Sequence, residues 1–184
     1  MTSVFIMVVG GGLELGLYYW QTNTAQQAAR TGARLAATHD PVARELKSKT
    51  WLTDARRTGD PLPDYDYVCD GASESCTQGG YSQNAMKVLT HGPDRKNCNQ
   101  SGENRAAQGM CDFIPDIRAE NVTIRYAGSG LGTAGSPADP QPIITVTLSG
   151  LSREVLFLER LLGKTAELRP VSVTVMAEDM RAAR

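Results

Sequence analysis

The first 39 residues, Met1 to His39, constrain this chain more than any other stretch. They open on an apolar run, Val4 to Trp20, and pass without a proline into an alanine-rich run, Thr24 to Thr38. Small and apolar residues recurring every three or four positions, with no proline to break them, predict one long helix. Its first half is 17 residues long, at the short end of what spans a hydrocarbon core. Glu14 is the only charge in that half, and a carboxylate at such depth needs a partner, a proton or a protein neighbour. Tyr18, Tyr19 and Trp20 close the run, and amphipathic rings settle at a membrane–water boundary. A secretory signal would start with basic residues and end in a small-residue cleavage site. No Lys or Arg precedes Arg30, so the expectation is a membrane-anchoring helix that continues into water as a stem.

Ala25, Ala28, Ala29, Gly32, Ala33 and Ala36 fall on one narrow face of that helix. A stripe of small residues buries little area but lets another backbone come close. Gly12 and Gly16 form a GxxxG pair in the apolar half. Together Gly12, Glu14, Gly16, Ala25, Ala29, Gly32, Ala33 and Ala36 predict a surface for packing partner helices. Glu14 would set the register by pairing with a cation on a partner.

The stretch from Leu13 to Ala37 resembles the TadE/TadG-like family, the minor pilins (pseudopilins) of the bacterial tight-adherence, or Flp, pilus. The residues that carry the resemblance are Glu14, Tyr18, Tyr19, Gln27-Ala28-Ala29-Arg30, Gly32-Ala33-Arg34 and Ala36. The resemblance implies a structural, non-enzymatic part in pilus assembly or initiation, or at the pilus tip or base. It implies other pilin subunits and Tad assembly proteins as partners. The implied location is the inner membrane with a periplasmic head, or the extracellular pilus. The alternative is a membrane-tethered surface adhesin or ligand-binding module.

A length of 184 residues fits an anchor and stem over residues 1–39 and one α+β head over 40–184. The net charge of −1, with basic residues scattered, gives no electrostatic case for nucleic acid. Asp40 and Pro41 suit a helix start, and Gly59, Asp60, Pro61 and Pro63 suit its end, predicting a second helix between them. Residues 60–120 are rich in Gly, Ser, Asn and Asp and hold all four cysteines, Cys69, Cys76, Cys98 and Cys111. An even count beyond a membrane anchor reads as disulfides that staple a loop-rich region. Cys69–Cys76 with Cys98–Cys111 is the nearest-neighbour pairing, and two other pairings are possible. Tyr65, Tyr67 and Val68 suit a short strand into Cys69, and 84–89 and 106–113 suit short helices.

Residues 121–184 carry the clearest soluble pattern. Val122–Tyr126, Ile144–Leu148 and Val171–Val175 each alternate with period two and are rich in β-branched residues. They predict an antiparallel sheet with Val122, Ile124 and Tyr126, or Ile144, Val146 and Leu148, turned inward. Between the last two strands, Ser152 to Gly163 reads as an amphipathic helix, with Val155, Leu156, Leu158, Leu161 and Leu162 covering the sheet.

Site chemistry is sparse. There is no CxxC, and His39 and His91 are too few for a zinc finger. Asp64, Asp66 and Asp70 lack the spacing of a calcium loop. Gly130-Leu-Gly132-Thr-Ala-Gly135 satisfies GxGxxG, but the following Ser-Pro-Ala-Asp-Pro-Gln-Pro does not start the helix a dinucleotide needs. Gly128-Ser129-Gly130 is likewise no nucleophile elbow. The expectation is a protein without catalytic residues, metal, cofactor or small-molecule substrate.

Overall fold

A computed structural model describes residues 2–94, 98, 108–135, 140–152 and 168–177. The expected N-terminal helix is present as α1 (Thr2–Thr38), unbroken over 37 residues. At about 1.5 Å per residue it is roughly 55 Å long. It stops where the sequence places His39-Asp-Pro, and the His39 N–H closes the last turn on the Leu35 carbonyl at 2.9 Å.

The second helix is much shorter than the stretch from Asp40 to Gly59. It is α2 (Arg44–Ser48), five residues, starting after Ala43. Asp40 does not cap it. Its carboxylate takes Lys47 Nζ at 2.7 Å instead. Lys49 is already extended, and Trp51 adopts φ of +60°, a left-handed conformation that no helix continues through. Val42, Leu46 and Trp51 are still buried, so the apolar spacing marks core positions without marking a helix.

Five strands form one antiparallel sheet: β1 (Asp66–Asp70), β2 (Ser75–Cys76), β3 (Val122–Gly128), β4 (Pro142–Leu148) and β5 (Val171–Met176). The order is β2-β1-β3-β4-β5. Register runs Tyr67 to Tyr126, Tyr126 to Ile144 and Ile144 to Val175, which stacks the inward residues of four strands. Tyr67, Cys69, Val122, Ile124, Tyr126, Ile144, Val146 and Leu148 are all buried. The opposite face is polar. Thr145 and Thr174 share a hydroxyl hydrogen bond of 2.9 Å, and Arg125 meets Asp66.

The inward face rests on α1. Ala25, Ala28, Ala29, Ala33 and Ala36 are fully buried and join the sheet's residues in one core, with α1 lying against β4 and β5. The covering helix expected from Ser152 falls on residues 153–167, outside the described residues. The ends of that segment are tied together where the Leu168 N–H donates to the Leu151 carbonyl at 2.9 Å. α3 (Gln83–His91) also packs on α1. The Ser82 hydroxyl caps it by accepting from Ala85 N–H at 3.3 Å, and Gly92 at φ of +85° ends it. Of the helix expected over 106–113, the described part is a single tight turn, Met110–Asp112.

One buried hydrogen bond fixes α1 and its exit against the sheet. The Val42 N–H donates to the Tyr126 hydroxyl at 3.1 Å, 84 residues away. Burial pushes the Tyr126 phenol well above its ordinary range, so it stays a neutral acceptor.

Candidate functional site

The candidate site is the free surface of α1. Its residues divide by angle around the helix. Gly10, Glu14, Ala25, Ala28, Ala29, Gly32, Ala33 and Ala36 are buried, at spacings of three and four once the chain reaches Ala25. Phe5, Val8, Val9, Leu13, Leu15, Tyr19 and Trp20 are exposed on the other side of the N-terminal half, Phe5 by 71% and Trp20 by 65%. Gly12 and Gly16 lie among them, and a Cβ added at either would meet nothing within 4 Å.

The predicted packing residues therefore separate into two groups. Gly12 and Gly16 face outward and are free to receive a neighbour. Ala25, Ala29, Gly32, Ala33 and Ala36 already have one: the chain's own sheet, and Met110, whose side chain sits where a Cβ on Gly32 would go. Glu14 is 3% exposed, on the inner side, away from Gly12 and Gly16. It is not offered to a partner from this face.

A groove of about 210 Å³ lies at the foot of the exposed half. Trp20, Thr24, Phe113, Ile114, Leu151 and Leu168 line it. Loop residues thus meet α1 where its exposed half gives way to its buried half.

The connection from α2 to β1 holds a cluster that sequence patterns did not show. Trp51 and Tyr65 rings lie with centroids 4.9 Å apart. Lys49 Nζ sits 4.7 Å above the Trp51 ring and donates to the Tyr67 hydroxyl at 3.0 Å. Burial, and then the neighbouring Tyr67, push the Tyr65 phenol up to about 12. Only the reversal at Trp51 puts its indole on Tyr65.

The four cysteines form Cys69–Cys76 and Cys98–Cys111, one of the three possible pairings. Cys69 and Cys76 are cross-strand neighbours on β1 and β2. Asp66 and Asp70 have partners within the protein. Arg125 grips Asp66 through two N–H···O bonds of 2.8 Å and holds its carboxyl below the usual carboxylate range. Asp70 accepts from Ser73 and from the Ala72 backbone. Neither is arranged to hold a cation. His39 lies near the Leu35 carbonyl and the Thr38 hydroxyl at the end of α1. His91 lies beside the Cys98–Cys111 sulfurs, now joined to each other. Residues 130–135 connect β3 toward β4 as turns, with Gly130, Gly132 and Gly135 all at positive φ, and no helix begins among them.

Among the described residues no helix is long and apolar enough to cross a membrane. Glu14 and the glycines at 10, 11, 12 and 16 dilute the apolar run. Apolarity alone therefore does not establish the expected anchor.

Residues 1–34 match the family of TadE-like proteins. The match covers the exposed half of α1 and most of the alanine stripe, and it stops before the sheet. No curated protein and no solved structure matches the chain.

Proposed function

We propose that this chain is a minor pilin-type (pseudopilin) subunit of a tight-adherence pilus, structural rather than enzymatic. The observation that carries this reading is the outward face of α1 on a TadE-like segment. It places exposed large apolar side chains around Gly12 and Gly16, and among the described residues nothing lies within 4 Å of a Cβ added at either glycine. Two glycines one turn apart let a second helix approach closely, and the flanking Leu13, Leu15, Val8 and Val9 supply contact area. The partners are helix stems of related subunits and the assembly proteins that handle them. The same face meets the inner-membrane bilayer before assembly, with the head on the far side. This part rests on the family resemblance and the aromatic residues at 18–20.

The test replaces Gly12 and Gly16 with leucine in the full-length protein and measures co-purification of related subunits from membranes. Recovery should fall several-fold, with far-UV circular dichroism and both disulfides unchanged. Undiminished recovery would remove Gly12 and Gly16 from the mechanism. Recovery of the wild-type chain with no helix-stem partner at all would favour a lone membrane-tethered binding module.

A further inference from the structure

The segment closed by Cys98–Cys111 has a histidine at its root. A ring nitrogen of His91 and the Sγ atoms of Cys98 and Cys111 all lie within 4.8 Å of one another. Among the described residues no comparable donor set surrounds Cys69–Cys76.

Three features distinguish this from chance proximity. The first is the anchoring of the imidazole. Thr90 Oγ1 lies 3.0 Å from the Met86 carbonyl and 3.3 Å from the Lys87 carbonyl. The same oxygen lies 2.7 Å from His91 Nδ1. This contact pins Nδ1, with either the imidazole or the hydroxyl donating, and leaves Nε2 as the ring nitrogen open to a further partner. Metal-binding histidines are held this way, with one nitrogen anchored by an outer hydrogen bond and the other left for the ion. The second feature is the rigidity of the frame. A Cβ on Gly109 would overlap the Gly92 nitrogen, the His91 carbonyl carbon and the Thr90 oxygen, so the backbones leading to His91 and Cys111 are in direct contact. Asp112 locks the turn by accepting from Gly109 N–H at 2.8 Å. The third is partial dehydration. Cys111 is fully buried, and Cys98 and His91 are half-buried.

We propose that Cys98, Cys111 and His91 form a redox-gated metal site. Oxidised, the two sulfurs are a disulfide and hold no ion. A dithiol reductant delivers two electrons and two protons, becomes a disulfide itself, and leaves two thiols. A thiophilic divalent cation then displaces the two thiol protons and binds two thiolates and the imidazole. Two sulfurs and one nitrogen suit zinc, with water as the fourth ligand of a tetrahedral ion. The segment stays closed at its root in both states, by a covalent bond in one and by an ion in the other. This site is separate from the outward face of α1 and does not depend on the pilus reading.

The experiment uses the full-length protein reduced with a phosphine and titrated with cobalt(II) and zinc(II). Reduced wild type should take up one cobalt with thiolate-to-metal charge-transfer absorption. Zinc should displace it and shield the half-buried Cys98 from alkylation while leaving the half-buried Cys76 reactive. The oxidised protein should bind none. Replacing Cys69 and Cys76 with serine should leave binding intact, and His91→Ala should weaken it about tenfold or more. Absence of the charge-transfer band in reduced wild type would overturn the proposal without recourse to any variant. Equal uptake by a Cys98→Ser/Cys111→Ser protein would overturn it too, as would unchanged affinity in His91→Ala.

Discussion

Between Phe5 and Trp20, α1 turns Phe5, Val8, Val9, Leu13, Leu15, Tyr19 and Trp20 outward. Between Ala25 and Ala36 it buries side chains that are nearly all a single methyl. Both halves belong to one uninterrupted helix. The contrast separates two uses of a helix surface. Small residues mark where a neighbour is already close, because a row of alanines, with Leu35 the one longer side chain among them, lets the core pack against the backbone of α1. Large residues left exposed make an apolar surface that is still open to a neighbour.

The most damaging way to break this contrast is to enlarge a buried methyl. Ala29→Leu should cost about 1–3 kcal/mol by overpacking against the sheet. Leu13→Ala in the exposed half should change stability by less than about 0.5 kcal/mol. Chemical denaturation of both variants, followed by far-UV circular dichroism, checks the pair. Equal losses would mean that the two halves are not differently engaged.

An effect of the same order sharpens the comparison at the exit of the buried half. Tyr126→Phe keeps the ring but leaves the Val42 N–H buried without its acceptor. Its expected cost is about 1–3 kcal/mol, read as a lower denaturation midpoint with unchanged slope. A wild-type midpoint would show that α1 is held on the sheet without this bond.

The gentlest test is alkaline titration. The Tyr65 phenol is raised from its ordinary 10.0 to about 12 in the folded protein. Its contribution is therefore fully present below pH 10 and is lost as pH rises through about 12. Tyr65→Phe should blunt that alkaline decline and leave the neutral-pH spectrum unchanged. If phenolate absorbance rises near pH 10 for every tyrosine while the fold persists, Tyr65 is not held in the core.

Much of the head was legible in the sequence. β3, β4 and β5 were visible because β-branched residues alternate with an unbroken period of two, and their inward residues are those the pattern selects. β2 was not visible, since two residues carry no period. The Asp40-Pro41 start was misleading for a different reason. Capping signals are local, whereas α2 ends because Trp51 turns back to pack on Tyr65, a contact across 14 residues. The alanine stripe was legible as a place of close approach. It did not say what approaches, because a methyl group records a distance and not the identity of the neighbour. Gly12 and Gly16 follow the same rule in reverse: the same chemistry, with the space still open.

The continuity of α1 has a geometric consequence. No proline interrupts it, and its far end is seated in the core, so the sheet cannot swivel freely about the exposed half of α1. Each residue step is about 100° around the axis. Under the proposed packing, a partner that gripped α1 one position away from Gly12 and Gly16 would swing the hydroxyl-lined face of the sheet, with Thr145, Thr174 and the Arg125–Asp66 pair, through the same angle. The compass bearing of the sheet is thus written into the rotational setting of a helix face at the other end of α1.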